Sequence, residues 1–357
     1  MIRKSVFFYM IIIFFAACIF GGSVFSTYEF FLSDGPLSQR KEVVIEKGQP
    51  LRKIANYLHQ EGVIESPAIF VLGVRVSQKD SELKAGEYSI PAHASAKMVM
   101  DIITGGQTLI RRITIPEGLT SYQIVQMLND TQSLAGEITQ IPEEGSLLPE
   151  TYYYSAGDTR ESLIKRMQNA MTRTIEELWP KREKDLLLKN KRDVIILASI
   201  IEKETSFNSE RSHIASVFFN RLKSKMRLQS DPTVIYGLSE GTGIFKRKLW
   251  SNDLKKESDY NTYIIYGLPP GAISNPGRAS IEAVLHPDKT QDLYFVANGK
   301  GGHAFSETYK DHQERVNEWR NIKKNKVDIK QKKKQNKAEI KAPSETKTAL
   351  QTEKNKK

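Results

Sequence analysis

Apolar residues fall into three regimes along the chain. Positions 6–25 run as twenty apolar or small residues without a single charge, enough to cross a bilayer as a helix. From about 42 to 322 apolar positions recur with the spacings of helices and strands. Beyond that, large apolar side chains nearly vanish among Lys, Gln and Asn, which predicts a disordered tail over 323–357.

Within the middle regime, the pattern predicts a strand at 42–46, closed by the turn Lys47-Gly48-Gln49-Pro50. Leu51, Ile54, Ala55 and Leu58 carry helical spacing, as do Ala68, Leu72 and Val76. A second strand is expected at 84–90, then a helix at 98–103. A strand over 110–117 and an amphipathic helix over 121–129 lead to a Gly- and Pro-punctuated loop at 144–152. Helices follow over 159–186, 190–205 and 210–223, and after Met226 turns rich in Gly and Pro alternate with a strand at 293–297.

The expected class is α+β: an N-terminal transmembrane helix, a small module and a mixed α+β domain. The expected division is 1–28 for the cytoplasmic N-terminus and transmembrane helix, 29–41 for a polar linker and 42–108 for the module. A connecting strand and helix take 109–143, the main domain 144–322 and the tail 323–357. The strand–helix–helix–strand order of 42–108 resembles a LysM module, the small peptidoglycan-binding fold. It reads equally well as a spacer.

Charge changes the picture little. The net charge is +11, but nine of those charges sit in 321–357, where thirteen Lys face four acids. The body has no basic stripe interleaved with aromatics, so no nucleic-acid partner is expected. Arg3 and Lys4 precede the apolar run and Glu29 and Asp34 follow it, a bias that keeps the N-terminus in the cytoplasm and exports the rest. A cleaved signal peptide, or lipidation of Cys18 behind Ala16-Ala17, would also place the domain outside the cytoplasm. Cys18 is the only cysteine, so the exported part can use neither disulfides nor thiolate ligands. The six His (59, 93, 213, 286, 303 and 312) form no close metal-binding pair. Neither a metal nor a cofactor is expected.

One helix carries a carboxylate into an apolar face. At about 100° per residue, Glu204 falls between Leu197 and Ile200, while Glu202 and Lys203 point away from that cluster. A carboxyl in apolar surroundings holds its proton to higher pH, which suits a general acid for glycosidic cleavage. Alternatively, Glu204 ends the helix in solvent or pairs with Lys203 or Arg211. Arg221 reads either as a stabiliser of an anionic group or as a cap on helix-end carbonyls. Asp231 before Pro232 reads as an N-cap or as a second carboxylate facing Glu204. Tyr260, Asn261 and Tyr263 offer rings and an amide suited to sugars, beside the rigid loop at 267–277. His303, in the glycine-rich stretch 299–305, is expected at a flexible rim, structural or catalytic.

Six segments together resemble the endolytic murein transglycosylase family, also called YceG-like. They are Ala198-Ser199-Ile200-Ile201-Glu202-Lys203-Glu204-Thr205, the stretch 216–222 around Asn220-Arg221-Leu222, the stretch 226–237 around Gln229-Ser230-Asp231-Pro232-Thr233, Tyr260-Asn261-Thr262-Tyr263, Gly267-Leu268-Pro269-Pro270-Gly271, and Gly301-Gly302-His303-Ala304-Phe305. The resemblance implies that Glu204 is the catalytic acid/base and that the substrate is peptidoglycan. Cleavage would be non-hydrolytic, at the β-1,4 bond between N-acetylmuramic acid and N-acetylglucosamine, terminating nascent strands beside penicillin-binding proteins. Gln229, Asp231, Tyr260, Asn261, Tyr263 and His303 are the expected substrate contacts. The loop Glu144-Gly145-Ser146-Leu147-Leu148-Pro149-Glu150-Thr151 departs from the family pattern in lacking aromatics, so the resemblance does not carry sugar stacking over to it. A muramidase-type hydrolase pairing Glu204 with Asp231, and a non-catalytic wall-binding scaffold, are the alternatives.

Overall fold

The structure is a computed structural model that describes residues 2–155 and 157–324. Apart from its first two residues, the expected tail lies outside the described residues. The chain forms two compact units. The first is built from the described residues up to Ile115, with Ile124–Ile141 and Glu150–Met167; the second from Pro116–Gln123, Pro142–Pro149 and the described residues from Gln168 on. The border therefore falls at neither 108 nor 144.

The first unit opens with α1 (Ile2–Leu32), one unbroken helix whose stretch Met10–Leu32 is long and apolar enough to cross a membrane. Then come β1 (Lys41–Ile45), α2 (Leu51–Gln60), α3 (Pro67–Val76), β2 (Gly86–Ile90) and α4 (Ala96–Gly105). β1 and β2 pair antiparallel, with Val43 opposite Tyr88. One face of this ribbon meets Ile54 and Leu58 of α2, Phe70 and Val74 of α3, and Val99 and Ile103 of α4, all fully buried. α2 buries Ile54, Ala55 and Leu58, the side its sequence period marks, whereas α3 buries Phe70 and Val74 and leaves the expected stripe of Leu72 and Val76 exposed. α3 starts behind the Ser66 cap, whose hydroxyl accepts from Ile69 N at 3.4 Å, and carries Pro67 where a helix tolerates it.

The stretch 29–41, expected as a polar linker, is built into this core. Phe31 is 6% exposed and Leu37 is buried, while His93 N donates to Leu37 O at 2.8 Å. The polar letters around Glu29 and Asp34 conceal two apolar side chains that the ribbon and helices enclose. The chain also closes tightly on Gly73 of α3, where a Cβ would lie 2.4 Å from the Phe31 ring.

β3 (Arg111–Thr114) pairs antiparallel with β4 (Thr151–Tyr154), Thr114 opposite Thr151. This partner was invisible in the sequence because β4 follows the Pro149 loop at long range. Between them lies α5 (Ser121–Asn129), and α6 (Arg160–Leu178) follows β4. At the start of α6 the Arg160 guanidinium donates to the carbonyls of Leu128, Leu134 and Thr131 at 2.7–2.9 Å, gathering the end of α5 and the turn after it. α6 stops eight residues short of the expected 186, because Pro180 can donate no helical hydrogen bond and the chain tightens into a short turn at Trp179–Lys181.

The second unit is organised around α7 (Lys191–Glu204), which packs against α8 (Asn208–Lys223), α9 (Asp231–Leu238) and α10 (Arg278–Leu285). Val194, Leu197, Ile200 and Ile201 of α7 are fully buried. The ribbon of β5 (Tyr294–Ala297) and β6 (His303–Ser306) pairs antiparallel and places Ala297 opposite His303. His303 is thus the first residue of a strand, where a flexible rim was expected.

Gly73→Val should drive a branched side chain into the Phe31 ring. Overpacking of this kind costs about 1–3 kcal/mol, read as a lower thermal midpoint of the detergent-solubilised chain.

Candidate active site

Glu204 is the last residue of α7. The helix stops there because Thr205 turns extended, at φ −144° and ψ 141°. The Thr205 hydroxyl then accepts from Phe207 N at 3.0 Å, which turns the chain into α8. Behind Glu204 the helix is held by Ser199, whose hydroxyl accepts from Ile273 N at 3.0 Å while its carbonyl accepts from the Ser274 hydroxyl at 3.1 Å. Glu202, which the helical period turns away from the cluster of Leu197, Ile200 and Ile201, is enclosed by other segments. Its carboxylate is 4% exposed, bonds the equally buried Arg211 at 2.8 Å and accepts from Gly277 N at 2.9 Å. Arg211 is therefore the partner of Glu202 and also of Glu117 at 3.3 Å, leaving Glu204 unpaired by it.

Glu204 opens onto a cleft of about 360 Å³ lined also by Arg221, Gln229, Asp231, Tyr263, His303 and His312. Burial is the largest influence on its carboxyl and pushes the pKa up to about 7. The Ser230 hydroxyl bond opposes that, the nearby Asp231 charge reinforces it, and His303 and Arg221 pull it down. The bond is short: Ser230 Oγ donates to Glu204 Oε1 at 2.5 Å. Ser230, rather than Asp231, occupies the cap position of α9, and its side chain makes no cap bond. The hydroxyl that would ordinarily cap α9 is spent on the carboxyl. Asp231 is the first helical residue and accepts from Tyr263 Oη at 2.7 Å. Burial, followed by this bond, raises the Tyr263 pKa and keeps the phenol neutral.

The backbone beside these groups is constrained. Gln229 adopts φ 54°, a left-handed conformation costly for a residue with a Cβ. Its N–H donates to Thr262 O at 3.1 Å, and Ser230 N to the Thr262 hydroxyl at 2.9 Å. Arg221 fixes the floor. Its guanidinium donates to Leu293 O at 2.7 Å and Leu228 O at 2.8 Å. These carbonyls belong to neighbouring segments, so it does not cap its own helix, and it lines the cleft beside Glu204. His303 is held by Glu210, with its backbone N donating at 2.9 Å and its ring Nδ1 at 2.8 Å from the other oxygen.

Of the six expected contacts, Gln229, Asp231, Tyr263 and His303 share the cleft with Glu204. Asn261 does not. It is 1% exposed and its amide is consumed by Leu254 O, Lys256 O and Tyr263 N, so it shapes the turn that presents Tyr263. Nor does Tyr260, whose ring packs 4.8 Å from that of Tyr236. The sequence gives no sign that Ser230 and His312 belong to the site, nor that the expected strand β5 contributes Phe295, Val296 and Ala297 to the wall. Among the described residues no group of three or more His, Cys, Asp or Glu converges as a metal site would.

A second buried carboxyl lies in this unit. Glu144 Oε1 accepts from Ser121 N at 2.8 Å and Asn275 Nδ2 at 2.9 Å, and Tyr236 Oη donates to Oε2 at 3.3 Å. Burial outweighs these bonds and lifts its pKa to about 7.

A desolvated carboxyl with a raised pKa on a helix end, bordering an open polar cleft with a second carboxyl group and aromatic rings, is equipped for proton transfer to a bound saccharide. The model of the YceG-like family matches residues 43–318, and the chain belongs to that family. An endolytic murein transglycosylase from Bacillus subtilis is 34% identical over 75% of this chain and 81% of its own. One from Streptococcus pneumoniae is 28% identical over 79% of this chain and 59% of its own, so the chain spans little more than half of that relative. A crystal structure of a YceG-like protein from Listeria monocytogenes is 32% identical, covering 78% of this chain and 99% of that one with a TM-score of 0.48.

Because the Glu204 pKa lies above its ordinary 4.5, the carboxyl costs no stability below pH 4.5. It costs progressively more as pH rises from there towards 7. Glu204→Gln should therefore gain thermal stability over the parent by on the order of 1–3 kcal/mol at pH 8, with the gain shrinking to nothing by pH 4. Unfolding midpoints across that pH range check it.

Proposed function

We propose that this chain is a membrane-anchored lytic transglycosylase of peptidoglycan in which Glu204 is both acid and base. The observation that carries the reading is the desolvated Glu204 carboxyl, held at a pKa of about 7 at the rim of a polar cleft. The relatives' names point to the same chemistry.

Glu204 in its protonated form gives its proton to the glycosidic oxygen between N-acetylmuramic acid and N-acetylglucosamine as the C1–O bond breaks. Positive charge then develops at C1, and the Asp231 carboxylate, steadied by Tyr263, and the substrate's own N-acetyl group offset it. The muramoyl C6 hydroxyl oxygen attacks C1 while Glu204, now a carboxylate, takes the hydroxyl proton. A 1,6-anhydro ring closes and the enzyme is restored. The nucleophile belongs to the substrate, so the attack is intramolecular and no water is consumed. The Ser230 hydroxyl favours the charged form of Glu204 and so eases the first proton transfer.

Held by α1 at the cytoplasmic membrane with the rest of the chain outside, the enzyme would meet strands as they are made and end their growth, beside penicillin-binding proteins. The module over 42–108 is read as LysM-like and would bind glycan.

Digestion of purified peptidoglycan by the solubilised chain, followed by mass spectrometry, tests this. Anhydro-ended fragments are expected, and Glu204→Gln should lower their yield by about 10²–10⁴-fold. Water-added reducing ends would establish a hydrolase using Asp231 instead. Intact glycan that binds to the protein would establish a scaffold.

The free enzyme needs Glu204 protonated, so kcat/KM should fall above about pH 7 and drop tenfold per further pH unit. A rate that stays flat to pH 9 would show that Glu204 is not the acid.

A further inference from the structure

We propose that the first unit seats directly on an anionic phospholipid surface through α3, with Leu72 and Val76 at the acyl boundary and Arg52 and Arg75 against headgroup phosphates. The proposal rests on the reading of α1 as a membrane-spanning helix.

Continuity with α1 names the occupant. The apolar run ends at Phe25, and Phe31 is already buried against Gly73 of α3. Six helical residues rise only about 9 Å, and the headgroup layer outside the hydrocarbon is about 5–7 Å deep. No spacer separates the unit from the membrane, so the surface around α1 must lie in or on the headgroups.

That surface has the composition such a position requires. Phe70 and Val74 use one side of α3 for the core. The opposite stripe, Ala68, Leu72 and Val76 at four-residue intervals, should be polar if it faced water, yet Leu72 is 50% and Val76 75% exposed. Beside it runs a groove of about 570 Å³ between α2 and α3, bordered by Arg52 and Arg75. Neither guanidinium has an ion-pair partner among the described residues. Apolar side chains flanked by unpaired cations fit an interface of acyl chains and phosphates. Tyr28, exposed one turn before Phe31, is the kind of aromatic residue that settles at that depth.

The test uses the full chain with Cys18→Ser, reconstituted in phosphatidylcholine–phosphatidylglycerol vesicles carrying lipids spin-labelled near the headgroup. Single cysteines bearing a fluorophore are placed by Leu72→Cys, Val76→Cys, Ile13→Cys in the span, and Glu46→Cys in an exposed polar turn. Labels at 72 and 76 are expected to lose most of their emission to the spin-labelled lipid and little to aqueous iodide, with the reverse at 46. Arg52→Glu with Arg75→Glu, or vesicles of phosphatidylcholine alone, should weaken lipid quenching at 72. If lipid spin-labelled deep in the acyl region quenches 13 while 72 and 76 behave like 46, the docking is wrong and the anchor stands. If 13 escapes quenching too, the anchor fails and the docking with it.

Discussion

The second unit turns on a conflict at one carboxyl. Glu204 must lose enough water to keep a proton near neutrality, yet remain open to a polymer. A helix end meets both demands. The preceding turns of α7, with Leu197, Ile200 and Ile201 fully buried, lock the Cα in place, and the extended turn at Thr205 leaves the final side chain at the wall of a cleft. Around it each neighbour adjusts the balance. Ser230 supplies one short hydrogen bond to the charged form and Asp231 supplies an opposing charge. The strain at Gln229 accompanies the placing of both on consecutive positions.

Local periodicity carried much of this. The helical face of α7 identified Glu204 because three buried aliphatics and one acid share a side, and the matching segments led to the same residue. The same wheel turns Glu202 away from that cluster, but an angle says nothing of what approaches from outside: Arg211 and the N–H of Gly277 make the position an enclosed ion pair. Asn261 and Tyr263 look equivalent as letters. Only the fold distinguishes the amide consumed by a turn from the ring that reaches the cleft.

Pairings at long range were the other gap. β4 and β6 carry no alternation strong enough to separate them from loops, and each exists through a partner strand, β3 and β5. The helix–helix pair α2 and α3 and the ribbon of β1 and β2 were legible because each is short and bounded by Gly or Pro. The family match begins at residue 43, so α1 stands outside it and is argued from length and hydropathy alone.

The shortest bonds of Arg221 go to main-chain oxygens of Leu228 and Leu293, with a longer one to the Gln229 side-chain oxygen at 3.4 Å, and Arg160 likewise holds main-chain oxygens around the end of α5. A carbonyl is the same whatever residue bears it. The bonds to these carbonyls are therefore indifferent to which side chains the residues bear but sensitive to their count. A substitution that keeps the backbone path leaves those acceptors in place, whereas a single inserted or deleted residue would move the oxygens out of reach of the guanidinium.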